Sequence, residues 1–271
     1  MKLSILRQIV LGAIALLSIA CGQSANNNEP MRPASNTGGN SAATPAGTTS
    51  GSQRVTFESA DKTVIVGTLL DAAATNSPAI LLLHQWKSDR HSYDDFAKRM
   101  HAKGFAVLSI DGRGFGESVK TTDGKTVAEP SADEAVKDLL SDVGAAFDYL
   151  SKKKNVDANR VGIIGASYGS SLAIMYAAEN PKVKSVALLS PGLNYFEALP
   201  TEPAVKKYGD RALLLVAATG DGESPDAVSK LKAAGANDKY EVKIYDKGGH
   251  GTALFDVGLG DLLEQFLTAS L

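Results

Sequence analysis

The residues of this chain best suited to covalent chemistry are Gly165-Ala166-Ser167-Tyr168-Gly169, which close the apolar run Val161 to Ile164. A serine hydroxyl is a weak nucleophile unless the backbone holds it exposed beside a base, and a tight strand-to-helix turn does this only when its neighbours are small. Gly165 and Gly169 supply that room. Ser170 to Glu179 continues with helical spacing, so the Tyr168 amide would open a helix at the positive end of its dipole, where it can face a developing oxyanion. The competing reading makes Ser167 an ordinary helix N-cap in a glycine-rich turn. With 26 glycines in the chain, the Gly-x-Ser-x-Gly spacing arises by chance roughly 0.2 times. Its weight therefore depends on what surrounds it.

A serine nucleophile needs a base, and the chain has 4 histidines. If the partners follow in the order nucleophile, acid, histidine, then His84, His91 and His101 are excluded because they precede Ser167. His250 remains, in Asp246-Lys-Gly-Gly-His-Gly251, just past an apolar run. The acid that orients the imidazole falls in Thr219-Gly-Asp-Gly-Glu-Ser224, which offers both Asp221 and Glu223. Asp221 is preferred because a short side chain among glycines holds an imidazole more rigidly, and the other carboxylate is free to cap the helix beginning near Pro225. Asp210 and Asp226 fit less well. A second oxyanion donor would come from the loop after Ala79 to Leu83, through the backbone N–H of Trp86 or Gln85; the Trp86 ring could equally be an apolar wall or simple packing. No residues stand at metal-ligand spacing, and the chemistry calls for neither metal nor cofactor.

These groups need a scaffold that brings distant loops together. Gln53 to Ser59 and Lys62 to Leu70 read as an opening antiparallel hairpin. Ala79 to Leu83 is apolar throughout, as a strand buried on both faces is, and Phe105 to Ile110 reads as another buried strand; Arg160 to Ile164, Val183 to Leu189, Arg211 to Ala217 and Tyr240 to Tyr245 are further strands. Between them lie helical patterns at Ser92 to Lys103, with Ser92 as N-cap, and at Ser131 to Lys153, with Ser131 and Glu134 as a capping box. Others run over Ser167 to Glu179, Pro225 to Ala234 and Asp256 to Leu271. Strands alternating with helices predict an α/β fold with a mostly parallel sheet covered on both faces. In such sheets functional loops lie beyond the carboxyl ends of the strands, where the polar clusters fall.

The beginning of the chain has a different character. Lys2 and Arg7 precede an almost wholly apolar stretch from Gln8 to Ala20, which has the length of a secretory signal and is too short to remain as a membrane span. Ser18-Ile-Ala-Cys21 resembles the lipobox of a bacterial lipoprotein, with Ser18 where leucine is usual and Leu17 one place earlier. The resemblance implies cleavage before Cys21 and lipid attachment there, and Gly22 implies the outer membrane. Residues 21–52 are rich in Asn, Ser, Thr, Gly, Ala and Pro, with too little apolar surface to fold, and are expected to form a tether reaching ~30 Å. Domain boundaries follow at 1–20, 21–52 and 53–271. Without Lys2 and Arg7 the 28 basic residues become 26 against 30 acidic ones, a net of −4 that favours no nucleic acid. Cys21 is the 1 cysteine in the sequence, so the chain has no internal disulfide.

Taken in order, His84 and its loop, Asp111-Gly-Arg-Gly-Phe-Gly-Glu-Ser118, Gly165 to Gly169, the Asp221 loop and His250 resemble the α/β-hydrolase family. The match is closest to its small esterase, dienelactone-hydrolase-like and serine-aminopeptidase-like branches, and it covers the chain from about residue 54 onward. It implies the α/β-hydrolase fold, structural rather than catalytic roles for Asp111 and Arg113, and a cap limited to Ser190 to Asp210, with Val119 to Pro130 as a second possible lid. Family spacing counted from Gly220 points to Glu223 as the acid. Relatives usually carry glycine where Gln85 stands. The activity implied is hydrolysis of small or medium carboxylic esters through an acyl-enzyme; the alternatives are a serine peptidase and an inactive envelope binding module.

Overall fold

Apolar residues facing both ways decide the centre of the molecule. In Ala79 to Leu83 and Ala106 to Ile110 every residue is buried, and successive side chains of a strand point to opposite sides. Ile80, Leu82 and Val107 join one core cluster while Leu81, Leu83 and Leu108 join another. A helix layer is therefore required on each side. The computed structural model describes residues 51–130, 136–235 and 237–271. The expected signal peptide, Cys21, most of the tether and the Ser131/Glu134 capping box lie outside the described residues.

The strands are β1 (Gln53–Glu58), β2 (Val64–Leu70), β3 (Ser77–Leu83), β4 (Ala106–Ile110), β5 (Val156–Ala166), β6 (Val183–Leu189), the short pair β7 (Asn194–Tyr195) and β8 (Leu199–Pro200), then β9 (Ala212–Ala218) and β10 (Tyr240–Tyr245). The helices are α1 (Asp94–Ala102), α2 (Val136–Ser151), α3 (Tyr168–Glu179), α4 (Thr201–Tyr208), α5 (Ser224–Gly235) and α6 (Leu259–Ser270). The main sheet has 8 strands in the order β1-β2-β4-β3-β5-β6-β9-β10. β1 and β2 are antiparallel, as is β2 to β4, and every later pairing is parallel. Phe96 and Met100 of α1 share one core face with Leu263, Phe266 and Leu267 of α6, whereas α2, α3, α4 and α5 supply the other. This is the α/β-hydrolase fold, as expected. Among the described residues no helix is long and apolar enough to cross a membrane.

Three local expectations are corrected. Ser92 is not an N-cap: a 3-10 turn at Arg90–Tyr93 precedes α1, Asp89 caps that turn through His91 N–H, and the Ser92 hydroxyl donates to Asp89 O. The last helix does not begin at Asp256, because residues Gly251–Val257 form a 3-10 turn that Gly258 breaks at φ 94. The Val119 to Pro130 segment is tied to the sheet's opening edge by a Thr63–Thr121 bridge and by Val64 N–H to Lys120 O. The cap comprises the β7–β8 ribbon and α4.

Candidate active site

β5 ends at Ala166 and α3 begins at Tyr168, leaving Ser167 alone in the turn with φ 53 and ψ −125. A non-glycine residue there stores on the order of 1–3 kcal/mol of strain, and the surroundings must enforce it. Ser167 N–H donates to Leu189 O at 2.8 Å, while Ser167 O accepts from Ser170 N–H at 2.8 Å and from the Ser170 hydroxyl at 2.5 Å. A side chain at Gly165 would come within 2.1 Å of Gly169 O, and one at Gly169 within 2.6 Å of His84 O. Only glycines permit the approach. The Ser167 side chain makes no capping bond to α3, contrary to the N-cap alternative, and it is 5% exposed.

His250 and Asp221 are brought together. The His250 Nδ1 lies 2.7 Å from Asp221 Oδ1, with the carboxylate side chain 6% exposed and the imidazole 45% exposed. Because a carboxylate oxygen accepts, Nδ1 carries the hydrogen and Nε2 is left with its lone pair, the form required of a base. Asp221 is held in a turn at the end of β9, its N–H bonded to Ala218 O and its carbonyl to Ser224 N–H. Its second oxygen, Oδ2, is buried without a partner among the described residues. Glu223 points elsewhere. It is exposed and lines a cavity of about 450 Å³ with Tyr195, Asn194, Asp226 and Lys230.

The His250 loop lies against the serine turn, since a Cβ on Gly251 would sit 3.4 Å from that of Ala166. The Tyr195 phenol, from the cap, lies close enough to Ser167 for that hydroxyl to act on its ionisation. Burial pushes the Tyr195 phenol above its ordinary pKa, and hydrogen bonding with Ser167 and Ser224 partly offsets that. The phenol itself donates to Ser190 O at 2.7 Å. Tyr195 lies within the Ser190 to Asp210 segment expected to form the cap, and no local sequence signal marked its approach to Ser167.

The loop after β3 is set by His84. Its Nδ1 lies 2.7 Å from Gln85 O and its Nε2 accepts from Gly112 N–H at 2.9 Å, so the ring is neutral with its hydrogen on Nδ1. Burial holds its pKa below the ordinary histidine value, in agreement. The N–H groups of Gln85 and Trp86 have no protein acceptor among the described residues. The Trp86 ring packs on Phe115, Tyr168 and Phe196, with centroids 4.9, 5.3 and 4.6 Å away, making an aromatic wall beside the Tyr168 turn.

Asp111 and Arg113 brace this end of the sheet. Buried Asp111 accepts from the N–H groups of Arg90 and Glu117, each at 2.8 Å, and pairs with the Arg90 guanidinium. Arg113 bonds Asp142 through Nε and Nη2, at 2.8 and 2.7 Å, and reaches Asp61. Burial opposes its charge, but these carboxylates outweigh that and hold its pKa above the usual arginine value. Among the described residues no group of acidic, histidine or cysteine side chains could hold a metal ion.

A parallel sheet carrying a strained serine turn after its central strand, with an acid and a histidine on later strand ends, defines the α/β-hydrolase class. The chain belongs to the family described as serine aminopeptidase, S33, whose model matches residues 74–214, a span that ends before Asp221 and His250. An uncharacterised protein of Mycobacterium tuberculosis is 26% identical over 210 residues, covering 71% of this chain and 70% of that one. An esterase of Pyrococcus furiosus superposes with a TM-score of 0.66 at 18% identity, covering 81% of this chain and 93% of the esterase. A dienelactone hydrolase from Anabaena variabilis gives 0.64 at 18% identity, over 82% and 98%.

Proposed function

We propose that this chain is a serine hydrolase that cleaves small or medium carboxylic esters through an acyl-enzyme, with Ser167 as nucleophile, His250 as base and Asp221 as orienting acid. The observation that carries it is the 2.7 Å Asp221–His250 pair beside a serine held at φ 53. In the reaction His250 Nε2 takes the proton of the Ser167 hydroxyl as Oγ bonds to the ester carbonyl carbon. The oxyanion is stabilised by the Tyr168 N–H, at the start of α3, and by that of Trp86 or Gln85. Collapse breaks the bond to the alcohol, which leaves with the proton from His250, and water activated by the same imidazole then releases the acid and restores Ser167. Asp221 stabilises the imidazolium formed in each half.

A cap of one two-stranded ribbon and one 8-residue helix supports compact substrates. The proposal places the enzyme at the cell envelope, removed from its signal and held by lipid on Cys21, on the strength of the sequence features at residues 1–52. A second reading, a peptidase acting at a free amino terminus, is favoured by the family description and by Glu223 and Asp226 sharing the cavity bordered by Tyr195. The test is labelling of the soluble domain by a fluorophosphonate, in wild type, Ser167→Ala and His250→Ala, followed by rates on a chain-length series of nitrophenyl esters and on aminoacyl nitroanilides. Labelling lost in both variants with turnover of short esters is expected. Preference for the nitroanilides would favour the peptidase, and a folded but unlabelled wild type would leave a hydrolase-fold binding module. Radiolabelled palmitate incorporation lost in Cys21→Ala tests the anchor.

A further inference from the structure

The Gln85 side chain crosses the site. Its Oε1 accepts from Thr252 N–H at 2.8 Å and from the Thr252 hydroxyl at 3.0 Å, joining residues 167 positions apart in the chain. A backbone N–H can only donate, so the atom facing it is the amide oxygen. The contact is close enough that a Cβ on Gly251, whose φ is 61, would fall 2.4 Å from that oxygen. From the other side Gly251 N–H donates to Ser190 Oγ at 2.8 Å, and Ser190 is fully buried at the end of β6 with its own N–H on Val216 O. The two residues after His250 are thus pinned from both flanks, while the imidazole is 45% exposed. Its position depends on these backbone anchors and on Asp221.

Gln85 also fixes the opposite wall. Its carbonyl accepts from His84 Nδ1 at 2.7 Å and from Ser88 N–H at 3.1 Å, which sets the backbone whose N–H groups have no protein acceptor among the described residues. Building on the serine-hydrolase reading above, we propose that Gln85 is a positioning residue that locks the His250 loop to the oxyanion loop, so that base and oxyanion donors keep one mutual distance. A glycine here would leave the backbone carbonyl in place but remove the crossing strut. Displacing a catalytic group by about 1 Å costs on the order of 100-fold in rate, because the reacting atoms no longer align. Interactions that matter mainly at the transition state change kcat and leave KM nearly alone.

The experiment uses the soluble domain and compares wild type with Gln85→Leu, Gln85→Glu, Thr252→Val and the Gln85→Leu/Thr252→Val pair. The readings are kcat and KM on a short nitrophenyl ester, and hydrogen exchange of peptides covering residues 248–254. Gln85→Leu should lower kcat by ~10–100-fold with KM within about 2-fold, and should speed exchange around Thr252. Gln85→Glu keeps the acceptor and should restore kcat to within a few-fold. Thr252→Val should cost less than Gln85→Leu, and the pair no more than Gln85→Leu alone, since the valine then removes a bond already lost. Unchanged kcat in a folded Gln85→Leu, or equal loss in Leu and Glu variants, would overturn the proposal. If Gln85→Leu does not fold, Thr252→Val must still reduce kcat and speed exchange, and no change in it would equally overturn the proposal. A wild type with no turnover would remove the hydrolase reading instead, while the exchange comparison still decides whether Gln85 holds the His250 loop.

Discussion

Replacing Asp221 by asparagine keeps the shape of the side chain and removes its charge. In the native arrangement Oδ1 sits 2.7 Å from His250 Nδ1, on a carboxylate that is 6% exposed beside a ring that is 45% exposed. When His250 takes the Ser167 proton, the charge centres stand ~4 Å apart, worth about 4 kcal/mol at an effective dielectric of 20. Half the ring faces solvent, so screening reduces this to roughly 2–4 kcal/mol. That corresponds to a loss of about 30- to 1000-fold in kcat, before any cost of the wrong tautomer when the asparagine presents its NH2 to Nδ1. The assay is steady-state hydrolysis of a short nitrophenyl ester, with the unfolding midpoint measured in parallel. Glu223→Gln is the matched control, since Glu223 is exposed on the neighbouring cavity and should leave kcat within about 2-fold. An active Asp221→Asn together with a collapsed Glu223→Gln would refute the assignment, and near-wild-type rates in both would refute the need for an acid in this loop.

Further outcomes follow from the same geometry. Gly169→Ala places a Cβ 2.6 Å from the backbone carbonyl oxygen of His84, so it should destabilise the domain by about 1–3 kcal/mol in urea unfolding and abolish fluorophosphonate labelling. Arg113→Leu leaves buried Asp142 without its two short bonds and should cost about 3–5 kcal/mol by the same measurement. Burial lowers the pKa of His84 in the folded chain, so the unfolded chain binds the proton more readily. The stability associated with a neutral His84 is therefore present above pH ~6.5 and lost as pH falls through the folded value. The unfolding midpoint of wild type should drop between pH 7 and pH 5, and His84→Asn should be lower at pH 7 with a shallower slope; equal slopes would exclude His84 as the source.

The α/β class and the serine turn were legible because they rest on short-range rules. Runs such as Ala79 to Leu83 can be buried on both faces only within a covered parallel sheet, and Gly165 is needed for a contact with Gly169 made within five residues, although Gly169 itself is required by the distant His84 carbonyl. His250 was reached by elimination among four histidines. Choosing between Asp221 and Glu223 required coordinates: they lie two residues apart in one turn, and the fold of that turn after β9 decides which carboxylate meets the imidazole. The start of the last helix was misplaced because Gly258, at φ 94, breaks a pattern that hydrophobic spacing alone reads as continuous. Ser92 was misread as a cap because it lies inside the 3-10 turn Arg90–Tyr93, where its hydroxyl donates to Asp89 O and the capping oxygen is that of Asp89.

What the sequence determined by itself is the local chemistry: which serine stands between small residues at a strand end, which segments must be buried, and which histidine has a place left to fill. What only the tertiary structure decided are the partners that arrive from far along the chain. Asp221 meets His250, Ser190 holds Gly251, and Gln85 grips Thr252 across 167 residues. No pattern in the chain marks such pairs, because side chains that meet across a sheet are brought together by strand order and register, which are properties of the whole fold.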